Sequence, residues 1–204
     1  MGVLRTLLAS LILLVAGGVA LAAATDSFQA FTSETARRLD VRRHPRPVPP
    51  TPLETQSGSE VNLADFRGKW LLVDFIYTRC PGYCSILGGE FAQLQTALAR
   101  PLAQGRVVLL SISFDRDHDA PEQLSDYLRR FGDQRDGWFA VRPMDTAGLN
   151  DLEHIFGVTV IPDTQGGYIH NAAIEIVDPQ GYLMDIEDMG DPAHLSQVLL
   201  RDMR

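Results

Sequence analysis

Hydrophobic and polar positions divide the chain into three stretches of different texture. From Thr6 to Ala24 every side chain is apolar or small, with Arg5 just before the run; nineteen such residues direct export and are enough to span a bilayer. From Asp26 to Arg43, Phe28, Phe31, Thr35 and Leu39 share one helical face opposite several arginines. That spacing predicts a basic amphipathic helix suited to anionic lipid, with a solvated helix carrying a weak stripe as the plain alternative. His44 to Pro52 carries five prolines and reads as a polyproline II spacer.

Beyond the spacer, short apolar runs alternate with stretches of helical period. Leu53 to Leu63, broken at Ser57-Gly58, predicts a hairpin, and Trp70 to Tyr77 a buried strand. Ile86, Leu87, Phe91, Leu94, Leu98 and Leu102 recur at helical spacing up to Pro101 and Gly105. Arg106 to Phe114 is a second apolar strand, Pro121 opens a helix to Phe131, Trp138 to Val141 reads as a short edge strand, and Thr146 to Phe156 as a helix. Ala172 to Val177, the turn Asp178-Pro-Gln-Gly181, a strand to Ile186 and a helix opening at Asp191-Pro192 close the chain. This order fits an α/β thioredoxin-like sandwich with an added N-terminal hairpin. Three segments result: residues 1–24 as export signal or membrane anchor, 25–52 as basic helix and spacer, and 53–204 as one globular domain.

Composition agrees with a single sizeable core, at 45% hydrophobic residues in 204. The net charge of −8 is uneven: residues 1–47 hold six arginines against three acidic residues, leaving twelve basic against twenty-three acidic. An acidic body argues against nucleic acid, whose binding needs a basic footprint.

The two cysteines of the chain, Cys80 and Cys84, stand in Tyr-Thr-Arg-Cys-Pro-Gly-Tyr-Cys-Ser between a predicted strand and a predicted helix. With Cys80 as N-cap and Pro81 at N1, Cys84 falls one turn in, and both sulfurs meet a helix N-terminus that favours thiolate. Three chemistries suit the pair. A structural disulfide across three residues would close too short a loop to constrain the unfolded chain much. A redox-active dithiol is the second, and a bite on one soft ion the third. Zinc would need two more ligands, and no second cysteine pair exists. Cu(I) is satisfied by two or three soft ligands, which turns attention to the five histidines.

The stretch Asp74-Phe-Ile-Tyr-Thr-Arg-Cys-Pro-Gly-Tyr-Cys84 resembles the signature of the Sco/SenC copper proteins, which assist assembly of the binuclear copper centre of cytochrome c oxidase. Ser111 to Leu124 is similar to the family's strand ending in an aspartate-rich turn. Tyr168 to Gly181 is similar to the stretch carrying its third copper ligand, which maps to His170. The resemblance runs from about Thr55 to Leu200, and departs at Ser85, Arg116 and Asn171 without removing a ligand. It implies copper, as Cu(I) and Cu(II), held by Cys80, Cys84 and His170 in a metallochaperone, with thiol-disulfide reductase activity left open. It also implies the copper-centre subunit of the oxidase as partner, and a retained membrane anchor on the periplasmic or extracytoplasmic face. Ala22-Ala23-Ala24 before Thr25 leaves cleavage and secretion as the alternative.

Other side chains carry weaker expectations. His44, His118, His154 and His194 are expected to face solvent. Asp115, Asp117 and Asp119 are expected to cap the helix opening at Pro121, with aid to metal delivery as the alternative. Met144, Met184 and Met189 are soft but scattered, and read as core or surface filling. Besides the metallochaperone, two other functions suit the same dithiol: a thiol-disulfide oxidoreductase keeping the oxidase's copper-site cysteines reduced, and a copper or redox sensor.

Overall fold

The computed structural model describes residues 2–80, 82–132 and 137–203 and divides the chain into two compact units at Arg43/His44. In the first unit, α1 (Gly2–Ala24) is a 23-residue apolar helix with no buried side chain, long and apolar enough to cross a membrane. A turn follows in which Asp26, Ser27 and Phe28 all take positive φ, and only then does α2 (Ser33–Arg43) begin. The helix expected from Asp26 is therefore cut short. Phe28 and Phe31 lie outside it, so the amphipathic stripe they were to head does not form. Glu34 instead pairs with Arg37 at 2.6 Å and Arg38 at 3.1 Å along the helix.

The second unit holds β1 (Arg46–Pro47), β2 (Pro52–Thr55), β3 (Glu60–Asn62), β4 (Trp70–Ile76), β5 (Val107–Ser113) and β6 (Trp138–Pro143). After these come β7 (Val160–Pro162), β8 (Tyr168–His170), β9 (Ile174–Val177) and β10 (Tyr182–Glu187). Its helices are α3 (Tyr83–Ala97), α4 (Ala99–Ala103), α5 (Pro121–Arg129), α6 (Thr146–Phe156) and α7 (Pro192–Asp202). Eight strands form one sheet in the order β1-β10-β9-β4-β5-β6-β2-β3, in which β4, β5 and β6 run parallel. This is the thioredoxin-like sandwich with a hairpin, β2–β3, added at one margin.

The central strands read as continuous apolar runs because both faces are covered; every residue of β5 is buried. Trp138 to Val141 was expected at an edge, yet β6 is interior, since the β2–β3 hairpin adds to its free side through Leu53–Pro143 and Thr55–Val141. At the other margin Arg46 and Pro47, expected as free spacer, pair with Leu183 and Tyr182 of β10. A proline is tolerated there because it lies on the outermost strand.

Candidate metal centre

β4 delivers the chain to the cysteine turn. Asp119, with no exposed surface, accepts hydrogen bonds from the Thr78 N–H at 2.8 Å, the Thr78 hydroxyl at 2.7 Å and the Ser113 hydroxyl at 2.6 Å. Arg130 donates to the Thr78 carbonyl at 2.9 Å from the other side. The turn that presents Cys80 is thus tied to the ends of β5 and α5. Capping of α5 falls instead to Ala120, whose side chain has no oxygen to offer, so the expectation that the aspartates cap this helix is overturned.

Cys80 was expected as N-cap of the next helix, but α3 starts at Tyr83 with Gly82 as N-cap; Pro81 lies outside the described residues. The intended relation survives the shift. The Cys84 N–H still donates to the Cys80 sulfur at 3.4 Å, and both thiols are free. Their environments differ. Cys80 is half-buried and its thiol is drawn down to about 5 by the hydrogen bond from the Cys84 thiol, against the cost of burial, with help from the Cys84 and Gly82 N–H groups and the Tyr77 hydroxyl. Cys84 is 2% exposed, and its role as donor to Cys80, with burial, pushes its own thiol up. One thiolate and one thiol thus share the turn near neutrality.

His170 comes from 86 residues away. It lies in β8, which pairs with β7 through Val160–His170, Ile161–Ile169 and Pro162–Tyr168, a hairpin standing apart from the main sheet. No strand was expected here. The signal was weak because the strands have three residues each, and the Asp163 carboxylate closes their loop by accepting from the N–H groups of Gln165 and Gly167 at 2.7 and 2.8 Å. Asn171, one of the departures from the family pattern, pins the base of the hairpin: its amide donates to the Gly157 carbonyl at 3.0 Å and accepts from the Thr159 N–H at 2.7 Å.

Alternation along β8 sends Tyr168 and His170 to one side and Ile169 to the other. Tyr168 packs edge-on to Tyr77 and Phe114, with ring centres 5.2 and 5.4 Å apart, and His170 sits 5.1 Å from Phe114 and 6.4 Å from Tyr77. Asp115 completes the attachment. Its carboxylate accepts from Arg79 at 2.7 Å, from His118 at 2.7 Å and from the Tyr168 hydroxyl at 3.3 Å. Burial opposes its charge, but Arg79 and His118 outweigh that and hold the carboxyl below its ordinary range. Arg79, next to Cys80, and Tyr168, two residues before His170, are therefore held by the same carboxylate.

The outcome is a distance of 3.9 Å between the Cys84 sulfur and Nε2 of His170. Metal bonds of about 2.3 Å to sulfur and 2.0 Å to nitrogen, at a trigonal angle, would set the two atoms about 3.7 Å apart. Burial holds the His170 imidazole below its ordinary pKa, so it is neutral with a lone pair available, and its Nδ1 is buried without a hydrogen-bond partner. Two sulfurs and a neutral imidazole are a donor set for a soft ion. Among the described residues no three His, Cys, Asp or Glu side chains are already closed to metal-holding geometry. His44, His118, His154 and His194 are exposed, as expected, although His118 is engaged by Asp115.

Beneath the pair lies an acid to which the hydrophobic pattern assigns no role. Asp74 interrupts the apolar run of β4, sits beside Ser111 of β5 and has no exposed surface; burial pushes its carboxyl up to about 7. A lone aspartate in Trp-Leu-Leu-Val-Asp-Phe-Ile was the signal that could have found it.

The SCO1/SenC family model matches residues 42–201. A putative copper-binding protein of Stutzerimonas stutzeri is 27% identical over 145 residues, covering 68% of this chain and 67% of that one. The structure of Arabidopsis thaliana ScoI with copper bound superposes with a TM-score of 0.65 at 18% identity, over 76% of this chain and 97% of that one. That of BsSco, a member of the Sco family of cytochrome c oxidase assembly proteins, superposes with a TM-score of 0.63 at 23% identity, over 76% and 93%.

Proposed function

Because the chain belongs to the SCO1/SenC family, we propose that it is a copper metallochaperone that delivers its ion to the binuclear copper centre of cytochrome c oxidase. The observation carrying this reading is the approach of His170 to Cys84 beside the hydrogen-bonded pair Cys80 and Cys84. Cys80 and Cys84 hold Cu(I) as thiolates, since sulfur selects it over harder ions, and His170 supplies the third ligand. Imidazole, a borderline ligand, lets the same set retain Cu(II). The Cys84 thiol must lose its proton for this, so loading releases protons.

Delivery follows from how the ligands are mounted. The sulfurs ride on a turn locked by Asp119, whereas His170 rides on a separate two-stranded hairpin held by ring contacts and Asp115. Moving the hairpin withdraws one ligand and opens a position for a donor from the acceptor, so copper passes by ligand exchange without being released. The partner is the copper-centre subunit of the oxidase, and α1 anchors the chain with its folded unit on the extracytoplasmic face of the membrane.

Copper titration of the reduced chain tests the reading. One equivalent per chain, with a thiolate-to-Cu(II) charge-transfer band, is expected. Cys80→Ala or Cys84→Ala abolishes tight Cu(I) binding; His170→Ala weakens Cu(I) modestly and Cu(II) more. A wild type without the band, or a band untouched by His170→Ala, removes the metallochaperone in favour of a second reading. That second reading, a thiol-disulfide oxidoreductase keeping the oxidase's copper-site cysteines reduced, draws support from the half-buried, low-pKa Cys80 beside a protonated Cys84.

A further inference from the structure

Met184, Met189 and His194 follow one another at intervals of five residues along the chain. All three line one cavity of about 340 Å³ between β9–β10 and α7, floored by Trp70, Ile176 and Leu199. Met184 lies within β10, Met189 in the connection after it, and His194 in the first turn of α7. Cys80, Cys84 and His170 take no part in it.

The wall is electrostatically one-sided. Asp185, Glu187, Asp188, Asp191 and Asp202 contribute to it, and among the described residues no lysine or arginine does. A cleft lined by one sign of charge over an apolar floor concentrates the opposite ion. Hard chelation is not what is built, however. No three His, Cys, Asp or Glu side chains converge as a metal group among the described residues. Two of the carboxylates already serve backbone groups, Asp191 accepting from the His194 N–H and Asp185 from the Ile186 N–H, each at 2.8 Å.

Besides the carboxylates of Glu187, Asp188 and Asp202, the wall offers two thioethers and an imidazole as soft or borderline donors. Thioether sulfur is neutral and soft, selecting Cu(I) over divalent ions, and the three rotatable bonds of methionine let both sulfurs turn toward one point inside the cavity. We infer that this cavity is a second metal site, for a soft monovalent ion, held by the thioethers of Met184 and Met189 with the His194 imidazole at the mouth. The carboxylates raise the local concentration of the cation without ligating it. The inference rests on the copper reading only for naming Cu(I) as the natural ion.

The test uses the full chain in detergent carrying Cys80→Ser and Cys84→Ser, titrated with Ag(I), a redox-inert surrogate for Cu(I), at pH 7. One silver retained after desalting is expected, lost when Met184→Leu and Met189→Leu are added and weakened by His194→Gln. Leucine keeps the volume and apolarity of the wall, so the loss reads ligation. Silver not retained at all, or retained by the leucine variant, overturns the site. A second measurement avoids the cysteine substitutions: in wild-type chain labelled with 13C at the methionine methyls, added Ag(I) shifts the Met184 and Met189 resonances and leaves Met144 in place. Unmoved resonances overturn the proposal equally. Those signals report this cavity alone, so they still answer in a chain with no metal at its cysteines, and the two sites fail separately.

Discussion

Nε2 of His170 stands 3.9 Å from the sulfur of Cys84, although 86 residues separate them, and that approach depends on where Asp115 holds the hairpin. The dependence is measurable. Tyr168→Phe removes one hydroxyl from the Asp115 carboxylate and keeps the ring packing; a hydrogen bond of this kind contributes about 1 kcal/mol net, or about fivefold in the closed fraction of the hairpin. The Cu(II) charge-transfer band is expected to shift or broaden while Cu(I) stoichiometry stays at one. Asp115→Asn, which also loosens Arg79 and His118, has the larger effect. A Tyr168→Phe band identical to wild type places the hairpin's anchorage elsewhere.

The two cysteines differ in reactivity. Cys80 titrates at about 5 because Cys84 donates to it, so its alkylation rate is expected to be flat from pH 8 down to about pH 6 and to fall below that as the thiolate protonates. Cys84→Ala removes the donor and moves the midpoint up toward the ordinary thiol range. Iodoacetamide kinetics across pH, read by mass spectrometry, gives both numbers.

Oxidation joins the pair. In the apo chain, mild oxidant is expected to consume two thiols and reductant to restore them. The loop closed is short, so by constraining the unfolded chain the disulfide adds about 2 kcal/mol, less than a long-loop bridge would, and the denaturation midpoint rises modestly. Thiol counting and denaturation of the two forms check this; two thiols persisting under oxidant would contradict the convergence of the sulfurs.

Asp74 makes stability depend on pH with a definite sign. Its folded pKa of about 7 lies above the ordinary 3.8 of an exposed aspartate, so the folded chain holds the proton more tightly. Below about pH 4 both states are protonated and the residue is neutral in effect; stability then falls as pH rises through 4 to 7, and the full loss, up to about 4 kcal/mol, is present above 7. Asp74→Asn flattens that slope. Denaturant unfolding at pH 4 and pH 8 distinguishes the two chains, the variant gaining at pH 8 only.

Topology is open to a direct check. Protease added to spheroplasts is expected to cleave the folded unit if, as proposed, α1, long and apolar enough to cross a membrane, anchors the chain with that unit on the extracytoplasmic side. Protection of that unit until the membrane is lysed reverses the orientation.

Features legible in the sequence are local ones. The period of Trp70 to Tyr77, the helical spacing after Cys84 and the C-x-x-x-C spacing are short-range facts, and the strand, turn and helix they imply form from neighbouring residues. The apolar run of α1 is equally self-contained. Where tertiary packing competes, the local pattern misleads. Trp138 to Val141 looks like an edge until the β2–β3 hairpin covers it, and Asp115 and Asp119 look like caps until Arg79 and Tyr168 claim the first and Thr78 and Ser113 the second.

How His170 reaches the cysteines was settled by tertiary packing alone, since a three-residue strand carries no period of its own and is held by rings and a carboxylate from distant segments. Met184, Met189 and His194, by contrast, lie within eleven residues on a strand, a connection and a helix, so the sequence keeps them near and the fold adds only the cavity that they line. Spacing along the chain places donors that share a turn. Donors on different elements are placed by the burial of everything between them, a free energy summed over the whole core and therefore not written at either residue.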